Sequence, residues 1–241
     1  MRTRLLPLLA LVIALGTPVV ANAALTEVSP IGTATPTCPG VAPADCRIIV
    51  ARTTGFQAKV GTTTGFSTVK VAGSLVAWSV SLASVTDARV KSLSSTTTGF
   101  GGAPRVGIVV LAPLGKSQFK VIGKGPLVDV TRYLGTTPQF ALPTSIPVKP
   151  GYVIGVSVPT WAPMLQLGVG SDTSWRSTRT LKMTVAKNFS TQTALVGTET
   201  SGDFAALYQS ARLLYSGTVV QTPKLNPVAK TTPTTPKKTT K

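Results

Sequence analysis

Ile146-Pro147-Val148-Lys149-Pro150-Gly151-Tyr152-Val153-Ile154-Gly155-Val156-Ser157-Val158 is two apolar runs around a turn signal. Proline presets the first central position of a β-turn, and glycine accepts the positive φ that a type II turn demands at the second. Pro150-Gly151 therefore ends one strand and begins another, and the spacing predicts a hairpin. Val153, Ile154, Val156 and Val158 are β-branched, which suits a pleated, packed surface. The stretch points to an all-β protein.

The flanking chain repeats the pattern. From Leu75 to Ser84, Val76, Trp78, Val80 and Leu82 fall on one face and Ala77, Ser79 and Ser81 on the other. A period of two marks a half-buried strand, with Trp78 as a core anchor. Val106 to Leu111 and Phe119 to Ile122 form two more strands, joined in a hairpin at Pro113-Leu114-Gly115-Lys116. Arg47 to Arg52 is a short strand that Thr53-Thr54-Gly55 should end. Thr-Gly-Phe recurs at 54–56, 64–66 and 98–100, read as turns whose Phe anchors the next segment. Residues 91–104 read as a polar loop, and Pro159 and Pro163 bracket Trp161 on another. Residues 170–204 are polar and loop-like, and Ala206 to Val220 supplies a last strand broken near Gly217. Turn signals every ~8–12 residues fit a sandwich.

The ends of the chain differ from its body. Arg2 and Arg4 precede an apolar run from Leu5 to Leu15, and Ala21-Asn22-Ala23 is small at the positions a signal peptidase reads. Residues 1–23 are therefore expected to be a secretory signal peptide, too short for the ~20 residues that span a bilayer. Residues 24–221 make one β-sandwich domain, opening with an extended lead-in at 24–46. Residues 222–241 hold four prolines and five lysines with no acid, and read as a disordered tail. Export makes Cys38 and Cys46, the two cysteines of the chain, an expected disulfide closing a short loop. The net charge of +17 stays strongly basic after loss of the two signal arginines, and attracts polyanions.

Trp78, the strands at 105–111 and 118–122, and the segment from Phe140 to Val156 ending in Pro-Gly-Tyr-Val-Ile-Gly together resemble secreted bacterial jelly-roll proteins of uncharacterised function. Those carry an extended Phe-x-x-Pro, an Ile-x-Val strand and a Gly-Asp-x-Ile-Gly element, and the resemblance covers roughly residues 70–170. Tyr152 stands here where the pattern has Asp. The resemblance implies export and a single jelly-roll-like sandwich, and lends no active-site residues.

The chain has no histidine, which excludes His-based triads and His-ligated metal sites. Neither a metal nor a cofactor is expected. Glu27, Asp45, Asp87, Asp129, Asp172, Glu199 and Asp203 are all separated in sequence, so nothing local proposes the carboxylate pair of a glycosidase. Two Ser-x-x-Lys matches, at Ser67 and Ser117, lie in strand context without a Lys-Thr-Gly companion, and Gly115-Lys116-Ser117 lacks the first glycine of a phosphate loop. Asn188-Phe189-Ser190 fits a glycosylation acceptor. Trp161, on a Pro-bracketed loop, and Trp175, beside Arg176 and Arg179, are the candidate binding residues, an aromatic platform with cationic neighbours for a sugar or acidic glycan. The alternative is that both rings cap the sandwich from inside. The expected protein is exported, non-catalytic, and acts at or outside the cell envelope by binding carbohydrate or anionic polymers, with no nucleic-acid module. A glycan-active hydrolase with distant paired acids and a structural envelope protein are the alternatives.

Overall fold

The computed structural model describes residues 24–38, 48–179 and 192–223. The expected signal peptide, Cys46, Asn188 and the basic tail from Lys224 lie outside the described residues. In chain order the strands are β1 (Leu25–Val28), β2 (Val50–Val60), β3 (Thr63–Thr64), β4 (Gly73–Val80), β5 (Arg105–Gly115), β6 (Gln118–Lys124), β7 (Val128–Asp129), β8 (Gln139–Val148) and β9 (Val153–Ala162). There follow β10 (Leu165–Leu167), β11 (Ser174–Ser177), β12 (Ser201–Asp203), β13 (Ala206–Gln209), β14 (Ala211–Leu213) and β15 (Tyr215–Gln221). One α-helix, α1 (Asp87–Ser94), lies between β4 and β5.

The small sheet has the order β1-β15-β4-β8, and the large sheet β12-β6-β5-β9-β2-β11-β13, with β3 paired to β2 and β7 to β5. Take β1, β2, β4, β5, β6, β8, β9 and β15 as first to eighth. The small sheet then runs first, eighth, third, sixth, and the large sheet holds second, seventh, fourth and fifth side by side. Two antiparallel sheets wound in that order are a jelly roll.

Lys149 to Tyr152 forms the turn read from Pro150-Gly151: the Tyr152 N–H donates to the Lys149 carbonyl at 3.1 Å, and Gly151 has φ 90°. The arms, however, do not pair with each other. β8 pairs with β4 in the small sheet, while β9 pairs with β2 and β5 in the large one. The expected hairpin is thus a crossover between sheets. Two-residue hairpins need primed turns, whose twist matches that of paired strands, whereas a turn built on Pro-Gly splays its arms. Its N–H at Gly151 and carbonyl at Tyr152 are tied instead to Val69.

The interior between the sheets is filled by Val106, Ile108 and Val110 of β5, Ile154, Val156 and Val158 of β9, and Leu75, Trp78 and Val80 of β4. Burying such side chains stabilises by about 1.5–3 kcal/mol each. A bulge between Leu75 and Ala77 returns Leu75, in place of Val76, to the inner face beside Trp78. The opposite face of the large sheet is covered as well: Phe56, Phe119 and Phe204 meet there at ring separations of 5.1, 5.5 and 5.3 Å, with Val153 beneath. Burial on both faces explains why β9 reads as a nearly unbroken apolar run instead of alternating.

Three local expectations are corrected. β2 does not end at Thr53-Thr54-Gly55 but continues to Val60, with a bulge at Arg52 (φ 47°). Gly55 there serves close packing, because a Cβ would stand 2.8 Å from the Arg176 carbonyl and 2.9 Å from the Trp175 ring. The expected polar loop at 91–104 begins as the end of α1, which Thr86 caps by accepting from the Arg89 N–H at 3.3 Å. The last strand is broken at Ser210 (φ 53°) and Leu214, and Gly217 lies inside β15 under Leu75 and Ile154.

Candidate functional site

The two tryptophans are buried, so the expected exposed aromatic platform is overturned. Trp161 lies on β9 with no exposure, packed with Ala51 and Leu93 under α1 and the segment after it. Its indole N–H donates to the Gly102 carbonyl at 3.1 Å and to the Ser94 hydroxyl at 3.3 Å. Trp161 is the pin that fixes this cover to the large sheet. Pro159 and Pro163 did not place it on a loop because β9 continues to Ala162, paired with Val50 of β2.

Trp175, 2 % exposed, belongs to the core between the sheets and stacks on Tyr208 at 4.5 Å. Strand alternation sends Arg176 the other way, where its guanidinium donates to the Phe204 carbonyl at 3.3 Å. Arg179 donates to the Ala51 carbonyl at 3.0 Å and lies 5.9 Å from the Tyr208 ring. Trp161, Trp175, Arg176 and Arg179 therefore do not converge on one surface. Cys38 is buried with its Sγ 3.7 Å from the Ile48 carbonyl oxygen, and its expected partner Cys46 lies outside the described residues.

The acids are dispersed and engaged. Glu199 pairs with Lys120, Asp203 accepts from the Ser117 hydroxyl, and Asp172 lies beside Thr173. The Thr131 hydroxyl donates to Asp129 at 2.6 Å and, opposing the small desolvation, holds its carboxyl below the usual range, with Arg105 and Arg132 adding to the effect. Among the described residues no group of three metal-ligating side chains forms, and no helix is long and apolar enough to cross a membrane.

Among the described residues the structure presents a groove of about 560 Å³ on the outer face of the small sheet. Glu27 of β1, Ser216 of β15 and Ser79 of β4 cross its floor on three adjacent strands, with Ser79 and Ser216 directly paired. Ser81 and Thr137 close one end, and the segment from Ile31 to Thr35 forms a lip. The Ser216 hydroxyl donates to the Glu27 carboxylate at 3.1 Å, and the Thr137 hydroxyl donates to Ser81 at 2.9 Å. Among the described residues no lysine or arginine lines the groove. The polar face that Ala77, Ser79 and Ser81 form in the sequence contained the signal for half of it. The contributions of Glu27 and Ser216 could not be seen before the first and last strands were known to meet.

The cations lie elsewhere. Lys70, Lys91, Arg105, Lys116, Lys124, Arg132 and Lys149 are exposed and spread over the surface. Lys149 covers the ring of Tyr152 at 5.1 Å, and Arg132 that of Tyr133 at 4.8 Å. No protein-family model, curated protein or solved structure matches the chain.

Proposed function

We propose that this is an exported, non-catalytic jelly roll that acts at or outside the cell envelope by adhering to anionic polymers. The observation that supports it most is the dispersal of exposed cations over a chain with 24 basic and 7 acidic residues. Between described residues one salt bridge forms, Lys120 with Glu199, so most of the positive field reaches solvent. Scattered charge on a rigid β scaffold attracts a polyanion without fixing its sequence or register, which is adhesion and not selective recognition. A short leader at 1–23 and a Cys38–Cys46 disulfide belong to this reading of an exported protein.

The non-catalytic part rests on the absence of histidine, which removes His-based triads, and on the separation of the seven acids along the chain, which proposes no carboxylate pair.

Retention of the mature full-length chain on an immobilised acidic polysaccharide, followed from low salt to about 0.15 M, tests the proposal. Strong retention that falls steeply with salt is expected, and the exposed-cation variant Lys149→Glu combined with Arg105→Glu should elute earlier. Absence of retention at low salt would refute adhesion, and turnover of any polysaccharide by the purified chain would refute the non-catalytic reading.

A further inference from the structure

We infer that the groove on the outer face of the small sheet is a subsite for an uncharged or amine-bearing saccharide, separate from the cationic surface assigned to polyanions. The volume of about 560 Å³ lies within the roughly 300–1,000 Å³ usual for small-ligand sites. Its lining is nearly half polar, with hydroxyls from β4, β15, the segment before β8 and the lip set among apolar surface. A hydroxyl both donates and accepts, so a wall of them matches a ligand whose own groups do both. That is the chemistry of a polyol.

The lining hydroxyls are held in two different states. Ser216, 1 % exposed, uses its proton on Glu27 and so orients that carboxylate across the floor. Ser81, 5 % exposed, accepts from Thr137 and keeps its own proton to donate. Ser79, Thr33 and Thr35 make no side-chain hydrogen bond to another described residue and remain available to a ligand. Ile31 and Ala34 in the lip supply an apolar patch for the C–H face of a sugar ring.

Charge selects among saccharides. Among the described residues the groove is lined by one carboxylate and no cation, on a chain whose net charge is +17. The lip itself is held from behind by Arg212, which donates to the Pro30 and Ile31 carbonyls, so the preference is local to the floor: an ammonium group is attracted to the Glu27 carboxylate, which an acidic glycan meets as a like charge. Without an aromatic platform, binding should be weak, with Kd on the order of 1 mM.

The test is a titration of the isotope-labelled full-length mature chain, read by amide chemical shifts. The probes are a glucosamine tetramer, its N-acetylated counterpart and an oligogalacturonate. The first two should shift amides at Ser79, Ser81 and Ser216. Glu27→Gln should weaken the glucosamine tetramer about tenfold more than the acetylated one. Ser79→Arg, at a partly exposed position, should abolish both without lowering Tm. Oligogalacturonate should shift amides only outside the groove, and Lys149→Glu with Arg105→Glu should reduce that response while sparing the saccharide response. The inference is overturned if the acidic oligomer shifts the groove amides as strongly as the others. Equally, unchanged saccharide binding in Ser79→Arg, or no groove shift with either saccharide at about ten times the expected Kd, overturns it. Failure of the cation variant to alter retention counts against the adhesion proposal alone.

Discussion

The Tyr215 hydroxyl donates to the Ile154 carbonyl oxygen at 2.7 Å, joining the last strand of the small sheet to the central strand of the large one. The same oxygen accepts from the Gln57 N–H at 3.2 Å and from the Ser67 hydroxyl at 2.8 Å. Gln57 extends the link: its side-chain carbonyl accepts from the Leu213 N–H at 2.7 Å, and its amide donates to the Ser174 carbonyl at 2.9 Å. Polar groups inside an otherwise apolar sandwich are costly unless satisfied, and these are satisfied by each other. They also fix how one sheet lies over the other, which apolar packing alone specifies poorly.

Tyr215→Phe keeps the ring and removes that oxygen, leaving the Gln57 N–H and the Ile154 carbonyl to find other partners. The expected loss is about 1–3 kcal/mol. For a domain near 200 residues that lowers Tm by roughly 2–12 °C, measurable by calorimetry. A Tm within a degree of the parent would mean that the clasp contributes nothing net.

Trp161→Phe preserves most of the buried bulk and deletes the N–H that reaches Gly102 and Ser94. Its effect should be local. Amide hydrogen exchange over residues 87–103 should accelerate at least tenfold, corresponding to about 1.4 kcal/mol of opening free energy, while β5 and β6 keep their protection. Uniform acceleration over the whole domain would show instead that Trp161 supports the fold globally.

The sandwich was readable in the sequence because each β element carried a local signature: Val106 to Leu111 with its hairpin, the alternation around Trp78, and the turn at Pro150-Gly151. What could not be read is non-local. Nothing in Ile146 to Val158 says whether its two arms pair, since that depends on β4 and β2 supplying other partners. Trp161 and Trp175 looked accessible because neighbouring prolines and arginines resemble loop chemistry, yet α1 covers one ring and Tyr208 the other. Helix α1 was missed because it is short and buries only Leu93. The groove requires β1 and β15, the two ends of the domain, to lie side by side.

Gly55 and Gly151 serve different ends, and alanine substitution should separate them. At Gly151 a Cβ meets nothing within 4 Å, so the cost is that of the positive φ, about 1 kcal/mol. At Gly55 the Cβ strikes the Arg176 carbonyl and the Trp175 ring, and overpacking of this kind costs about 1–3 kcal/mol. Urea midpoints should therefore fall further for Gly55→Ala than for Gly151→Ala. The reverse order would mean that the neighbouring strands part easily at β11.

Tyr215 also gives the fold a defined alkaline limit. Burial pushes its phenol up from 10.0 to about 12, against the opposing hydrogen bonds of Ser67 and Gln57. The unfolded chain therefore releases this proton near pH 10 while the folded chain holds it until about pH 12. A group whose folded pKa is raised contributes its full stability below the unfolded value, so nothing is lost up to about pH 9. Between pH 10 and 12 unfolding is favoured by up to 1.36 kcal/mol per pH unit, or about 3 kcal/mol in all. The parent curve sums over the whole chain, so a reference that lacks only this phenol is needed to assign the loss. The difference in unfolding free energy between parent and Tyr215→Phe, measured by urea denaturation at intervals from pH 8 to 12, cancels those shared contributions. It should be constant to about pH 9 and then shrink steadily. A difference that stays flat to pH 12 would mean that the Tyr215 phenol reaches water and titrates normally.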